Sequence, residues 1–454
     1  MTEFQHDLPD GVIAWVREEG GGEISRLERH VARREAWVVD IARPDGSTLE
    51  GFLRIDRNPD SRSNISLAKE AHIVEALGRT SIPVPELHGW NEDLQTALFS
   101  RDPGRSDIDA LDDPDRQRAV MEDFVRIVAR LHALDIDALG LDEVIGARPS
   151  TAEECALGDV DAQLRQFASF LSRHTDPLIT YGVDWLRRHA PKSVARVALV
   201  QGDTGPVNFM FQGDRVSSVI DWEWGHWGDP MEDLGNICVR EFWNPSGGLT
   251  GLFDLYERES GIPYTRFAAQ YYRVQQNVRG MIPIHAVCAN AHPRESVAWY
   301  LCYRYVGDRS TCEALAEAMN VSIERPEMPE GSGRVDVLAE AAVYAQRNDV
   351  QPSLESAFQI SRSKDVTTLI ECMDRRRRFG PALEAIEMDE IGALLDSRPS
   401  SSSEAFESLD RAIGEHRLED EPLIQYLARK AYRDEWLHAP AVALYPERRW
   451  SELD

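Results

Sequence analysis

The chain has 454 residues, of which 42% are hydrophobic and 28% charged, with a formal net charge of −28. This length allows two to three domains with full cores, and the acidity argues against nucleic acid, whose phosphates would be repelled. No apolar run nears the roughly 18 residues that a bilayer span needs, so no membrane is expected. The six cysteines show no Cys-x-x-Cys pairing, and the opening MTEFQHDLPD lacks the pattern of a signal peptide. Together these features predict a reduced, cytoplasmic protein.

In chain order, alternating segments at 23–27, 36–41 and 49–55 predict three strands. The run Gly20–Gly22 precedes the first strand and reads as a flexible entry loop. The connection at 28–35, ERHVARRE, contains no glycine. Its arginines could contact phosphates, but its backbone would approach them less closely than a glycine-rich turn does. Residues 66–78 predict a helix with Leu67, Ala71, Val74 and Leu77 on one stripe. Beyond Asp102-Pro-Gly104 the pattern turns helical. Val120, Phe124, Ile127, Leu131 and Leu134 form one core-facing stripe, and Val160, Leu164, Phe167 and Leu171 form another.

The stretch 199–223, LVQGDTGPVNFMFQGDRVSSVIDWE, reads as a loop followed by a β-hairpin with a Gly-Asp turn. Asp203 falls in the loop, Asn208 at the start of the first strand and Asp221 at the end of the second. A carboxylate and an amide oxygen converging from neighbouring backbones suit Mg²⁺, and a loop aspartate can accept a hydrogen bond from an incoming hydroxyl. Phosphoryl transfer asks mostly for such positioning and charge neutralisation. Trp222, Trp224, Trp227 and Trp243 follow, as a substrate wall or as core. Residues 252–260 and 266–288 read as helices and 323–333 as a linker. Helices are then expected at 335–348, 366–379, 382–395, 404–416 and 422–437. The run Asp374-Arg-Arg-Arg-Arg378 reads as a solvated helix C-terminus.

Gln201-Gly-Asp203 through Asn208, Val219-Ile-Asp221-Trp-Glu223 and Gly228-Asp-Pro-Met-Glu-Asp233-Leu-Gly resemble the signature of the aminoglycoside phosphotransferase (choline- and protein-kinase-like) family: HGDxxxxN, IDWE and GDPxxDLA. The resemblance covers roughly 20–322 and is most specific over 199–235. It implies an α+β, two-lobed, protein-kinase-like fold, with a small antiparallel-sheet lobe at 1–101 and a helical catalytic and substrate lobe at 102–322. The linker at 323–333 then leads to an all-helical accessory domain at 334–454, where a homodimer or a partner enzyme could dock. By the same resemblance Asp203 is the catalytic base, and Asn208 and Asp221 are Mg²⁺ ligands. Asp233 braces the catalytic loop. Arg54, in the strand FLRIDR, takes the place of a phosphate-binding lysine, oriented by Glu70, and hinge backbone at Phe99, Ser100 and Arg101 meets the adenine or guanine edge. Gln201 stands where the family carries histidine. The implied reaction moves a phosphoryl group from ATP, or from GTP, to a hydroxyl of a small molecule. A hydroxyacyl thioester, after the branch associated with acyl-CoA dehydrogenases, or another metabolic hydroxy compound is the favoured acceptor. An aminoglycoside is the alternative, and a catalytically silent kinase-like scaffold is the alternative of another class.

Overall fold

A computed structural model of the chain describes residues 8–31, 35–57, 66–292, 295–331 and 333–453. The middle of the glycine-free connection (32–34) and the first seven residues lie outside these. In order come α1 (Asp10–Gly20), β1 (Glu23–Arg29), β2 (Ala36–Ala42), β3 (Thr48–Ile55), α2 (Leu67–Leu77), β4 (Leu87–Asn91), β5 (Thr96–Ser100) and α3 (Pro114–His132). Two single turns, α4 (Ile136–Leu139) and α5 (Asp142–Ile145), precede α6 (Ala152–Leu171) and α7 (Pro177–His189). Then follow β6 (Ala198–Val200), β7 (Phe209–Gln212), β8 (Arg215–Val219), β9 (His226–Gly228), α8 (Pro230–Trp243), α9 (Leu252–Ser260), α10 (Arg266–Asn290) and α11 (Val297–Met319). The C-terminal region holds α12 (Val337–Ala345), α13 (Ala357–Leu395), α14 (Ser402–Gly414), α15 (Asp420–Leu437) and the turn α16 (Ala439–Val442). An antiparallel five-stranded sheet with a mostly helical remainder is the α+β arrangement expected. No helix among the described residues is long and apolar enough to cross a membrane.

By its internal contacts the chain divides into two compact units, 1–151 with 194–264, and 152–193 with 265–454. In the first, the sheet has the order β1-β2-β3-β5-β4, and neighbouring strands are antiparallel. The β-rich sequences AWVVDIA and TLEGFLRI turn Val39, Ile41, Leu49 and Leu53 into one core, as period-two alternation requires. Leu8 and, from α1, Val12 and Val16 close that core. The helix was not read from the sequence, and the glycine run proves to be its end rather than a flexible loop. Gly20 is the last helical residue, and Gly21, at φ +69°, caps it in the left-handed conformation that glycine adopts without strain. β7 and β8 form the expected hairpin. β9, unforeseen, pairs with β6, with Val200 opposite His226.

In the second unit α10 packs on α6, α7 and α11, while α15 and α16 pack on α11 and α14 packs on α7. The helices expected at 366–379 and 382–395 are one continuous helix, α13, with Pro381 inside it. Proline removes one i→i−4 hydrogen bond and disfavours helix interiors, but the contacts of α13 with α14 and α15 outweigh that local preference. The arginine run is therefore mid-helix. Arg375 donates to the carbonyls of Trp436 (2.7 Å) and Leu437 (2.9 Å) at the end of α15, satisfying acceptors that a helix terminus leaves unpaired.

Gly20 packs so closely on buried Ile41 that an added Cβ would run into Ile41 Cδ1, whereas exposed Gly158 in α6 has open space around it. Gly20→Ala is expected to cost about 1–3 kcal/mol through overpacking, and Gly158→Ala to gain roughly 0.5–1 kcal/mol. Urea midpoints that move the same way for both would contradict this account.

Candidate active site

The β6–β7 loop, 201–208, is held from one side by α8. Asp233 is fully buried, and its carboxylate accepts the backbone N–H of Gln201 and of Gly202, each at 2.9 Å. It also accepts the Thr204 hydroxyl and His132 Nε2, the latter at 3.0 Å. The other ring nitrogen of His132, which comes from α3, meets the Tyr256 hydroxyl of α9 at 2.8 Å. Burial on its own would push the Asp233 carboxyl up, but the hydrogen bonds from His132, Thr204 and the Gly202 amide hold it below the ordinary carboxylate value.

One turn further along α8, Asn236, with its amide assigned so that the oxygen faces the two loop donors, accepts the N–H of Asp203 (3.2 Å) and of Thr204 (2.6 Å). A further turn on, Arg240 grips the Asp203 carboxylate through Nε (3.0 Å) and Nη2. Positions 233, 236 and 240 lie on one helix face, as the 3.6-residue period dictates. Two loop glycines permit the close approach. Gly202, at φ +75°, would put a Cβ 2.7 Å from the Trp224 carbonyl, and Gly205, at φ +137°, would put one 2.7 Å from Arg240 Cβ.

Asn208 directly precedes β7. Its side-chain N–H₂ donates to the Asp203 carbonyl (2.6 Å), and its own carbonyl accepts the Ile220 N–H (3.0 Å). Gln201 Nε2 donates to the Ile220 carbonyl (2.6 Å). These bonds tie together the segments that carry Asp203, Asn208 and Asp221. Asp221 follows β8 at φ +57°, and its side chain remains 41% exposed.

Opposite it, Arg54 of β3 forms the pair with Glu70 of α2 that the sequence suggested, at 2.6 Å. It also reaches Asp221 and Glu223, each at 3.1 Å. One guanidinium thus faces three carboxylates. Phe99, Ser100 and Arg101 are placed differently. Phe99 is paired inside the sheet, opposite Phe52 and Leu87. The Ser100 and Arg101 amides donate to the carbonyls of Glu86 and Glu50, and the Arg101 guanidinium pairs with Asp40 and Glu50. Their hydrogen bonds run to neighbouring strands, so these two amides are already engaged. The tryptophans divide: Trp222 and Trp227 are buried, while Trp224 and Trp243 are partly exposed.

Sequence reading singled out Asp233 but not His132, Thr204, Asn236, Arg240 or the ion-pairing of Glu223. The polar i, i+3, i+7 series on a helix that otherwise buries Leu234, Ile237 and Cys238 was the available signal.

An arginine-bearing strand salt-bridged to the following helix, with a loop and hairpin carrying Asp, Asn and Asp, defines a kinase-like phosphotransferase arrangement. The model of the phosphotransferase enzyme family (APH) matches residues 23–275, more than half of the chain, and the chain belongs to that family. The crystal structure of a Ralstonia eutropha protein assigned as an aminoglycoside phosphotransferase aligns with a TM-score of 0.51 at 21% identity, over 67% of this chain and 95% of that one. That likeness concerns the fold. The probable acyl-CoA dehydrogenase IBR3 of Arabidopsis thaliana is 26% identical over 396 residues, which cover 78% of this chain and 42% of that protein. Acyl-CoA dehydrogenase family member 11 of Rattus norvegicus is 27% identical over 268 residues, 55% of this chain and 31% of that protein. The chain thus spans less than half the length of these relatives.

Asp233 gives a pH signature. Its folded-state value lies below that of an unfolded carboxyl, about 3.9, so its stabilisation is fully present above that value and fades as pH falls through the folded value. Asp233→Asn is expected to cost about 3 kcal/mol at pH 7, with the gap to wild type narrowing towards pH 3. Urea unfolding at pH 7, 5 and 3 measures it, and a gap of constant size would count against a charged Asp233.

Proposed function

We propose that the first unit transfers the γ-phosphoryl group of ATP, with GTP as an alternative donor, to a hydroxyl of a small molecule. The observation that carries this reading is the hydrogen-bonded linkage of the Asp203, Asn208 and Asp221 segments, set opposite an arginine already held by Glu70. Asp203 accepts the proton of the incoming hydroxyl. Asn208, its N–H₂ committed to the Asp203 carbonyl, keeps its side-chain oxygen for a ligand. That oxygen and the exposed Asp221 carboxylate are hard donors of the kind Mg²⁺ selects. The cation, when bound, supplies charge neutralisation to the phosphate oxygens. Arg54 exchanges Asp221 for the phosphates of the nucleotide while Glu70 and Glu223 keep its guanidinium in place. The purine edge meets the hinge at the Asp102 amide, because the Ser100 and Arg101 amides are engaged in the sheet, Pro103 has no N–H and the Gly104 amide bonds Asp102 Oδ1.

In this reading 1–101 bind the nucleotide and 102–322 carry the catalytic and acceptor groups. Residues 334–454, beyond the segment 323–333, serve dimerisation or a partner enzyme. The preferred acceptor is a hydroxyacyl thioester, a preference supported by relatives named as acyl-CoA dehydrogenases. An aminoglycoside is the competing acceptor. A silent scaffold is disfavoured because Asp203, Asn208 and Asp221 are all present, and Gln201 still bonds the carbonyl that precedes Asp221.

The test is Mg·ATP and Mg·GTP turnover with a 3-hydroxyacyl-CoA, an aminoglycoside, choline and homoserine. Turnover is expected with the thioester, falling by roughly 10²–10⁴-fold in Asp203→Ala, while Asn208→Ala raises the Mg²⁺ concentration required. Turnover with the aminoglycoside alone would replace the acceptor but keep the reaction. Nucleotide binding without turnover on any acceptor would favour the scaffold.

A further inference from the structure

We infer that Arg240 is a positioning residue for phosphoryl transfer, a fork that fixes the Asp203 carboxylate in the one orientation from which it meets the acceptor hydroxyl. The inference rests on the reading of Asp203 as acceptor of the hydroxyl proton.

The contact has the features of a built clamp rather than an incidental surface pair. Nε and Nη2 of Arg240 address the two different oxygens of Asp203, the bidentate geometry that only a planar guanidinium offers. Both partners are largely enclosed, with side-chain exposures of 20% and 27%, so solvent screens the pair less than an exposed one. The backbone around it is shaped to let the arginine pass. Gly205 lies against Arg240 Cβ and Cγ at φ +137°, so a side chain there would meet both steric and backbone strain. Asn236, one turn earlier on the same helix, takes the N–H of Asp203. The main chain and the side chain of the same aspartate are therefore fixed from one rigid face of α8. The aspartate has one backbone setting and one carboxylate plane.

That matters for this step in particular. As the acceptor oxygen forms its bond to the γ-phosphorus, the bond from that phosphorus to the ADP oxygen breaks, and the acceptor proton passes to Asp203. In a loose transition state little is gained from base strength, and much from holding the hydroxyl in line. A carboxylate free to rotate would present several lone pairs in several directions. With both oxygens held by Arg240, the hydroxyl can be met only from the remaining side. Arginine thus supplies direction, and a lysine, a point charge on a flexible stem, cannot replace it.

The experiment measures Mg·ATP hydrolysis, with water as acceptor, in wild type, Asp203→Asn, Arg240→Ala, Arg240→Lys, Arg240→Gln and the Asp203→Asn/Arg240→Ala double variant. Misplacement of the aspartate is expected to lower kcat by roughly 10²-fold in Arg240→Ala, with KM for ATP within about twofold of wild type under this positioning argument. Arg240→Lys stays low, methylguanidinium added to Arg240→Ala restores turnover where methylammonium does not, and the double variant is no slower than Asp203→Asn. Wild-type kcat in Arg240→Ala and Arg240→Gln overturns the inference, as does a loss that adds in full to that of Asp203→Asn. If Asp203→Asn itself hydrolyses ATP as wild type does, the reading of Asp203 fails first. Melting temperatures of each variant separate a fold that is lost from a step that is slowed.

Discussion

The structure of the site depends on one buried carboxylate. Asp233 has no exposure, and a carboxylate removed from water is tolerated only where donors surround it. Here they come from two places in the sequence: the imidazole of His132 on α3, and the loop 201–204 with the amides of Gln201 and Gly202 and the Thr204 hydroxyl. Satisfying Asp233 therefore forces the loop to begin against the first turns of α8, with α3 closing the other side. The small β6–β9 pairing makes this possible. Val200 lies opposite His226, so the strand that delivers the loop and the strand that delivers the helix run side by side. Once the loop's first residues are fixed, Asn236 and Arg240 meet the next ones by helical repeat alone.

The second constraint is electrostatic. Arg54 faces Glu70, Asp221 and Glu223 together, one positive charge among three negative ones. Of the three, Glu70 and Glu223 are nearly buried, with side-chain exposures of 5% and 6%, while Asp221 is open to solvent. The two enclosed carboxylates act as a fixed mount, because a buried charge cannot abandon its partner without a large desolvation cost. The exposed one can exchange partners. An arginine held on one side and loosely paired on the other keeps its place when an anionic group arrives.

Much of this was legible in the sequence, for a physical reason. Asp203, Asn208, Asp221 and Asp233 lie within one short stretch whose turns are marked by glycine, so local spacing constrains where they go. Arg54 and Glu70 could be paired because a strand and the next helix are neighbours in chain and space. What could not be read depends on tertiary contact. His132 reaches Asp233 from a helix one hundred and one residues away. α1 buries Val12 and Val16 against the sheet but ends in a glycine run that looks like loop chemistry, and β9 is three residues long, too short for any period to show. Pro381 and the arginine run misled for the same reason. Both are local signals for a helix end, and both are overruled by the helices α14 and α15 packed around α13. The engagement of the Ser100 and Arg101 amides was likewise invisible, since it depends on which strands flank β5.

Gln201 shows how a departure from a family pattern should be weighed. A histidine replaced by glutamine in a catalytic loop looks like decay when motifs are read letter by letter. The loop itself poses a narrower question, namely whether the carbonyl before Asp221 has a donor. It does: Gln201 Nε2 reaches the Ile220 carbonyl at 2.6 Å. Its backbone N–H, which does not depend on the side chain, meets Asp233. Imidazole and carboxamide are different groups, but each can present one N–H in a fixed direction from a buried position. Gln201 thus ties the loop both to Asp233 and to the carbonyl before Asp221. The bonds that residue 201 makes, rather than its identity, are what the geometry of this loop depends on.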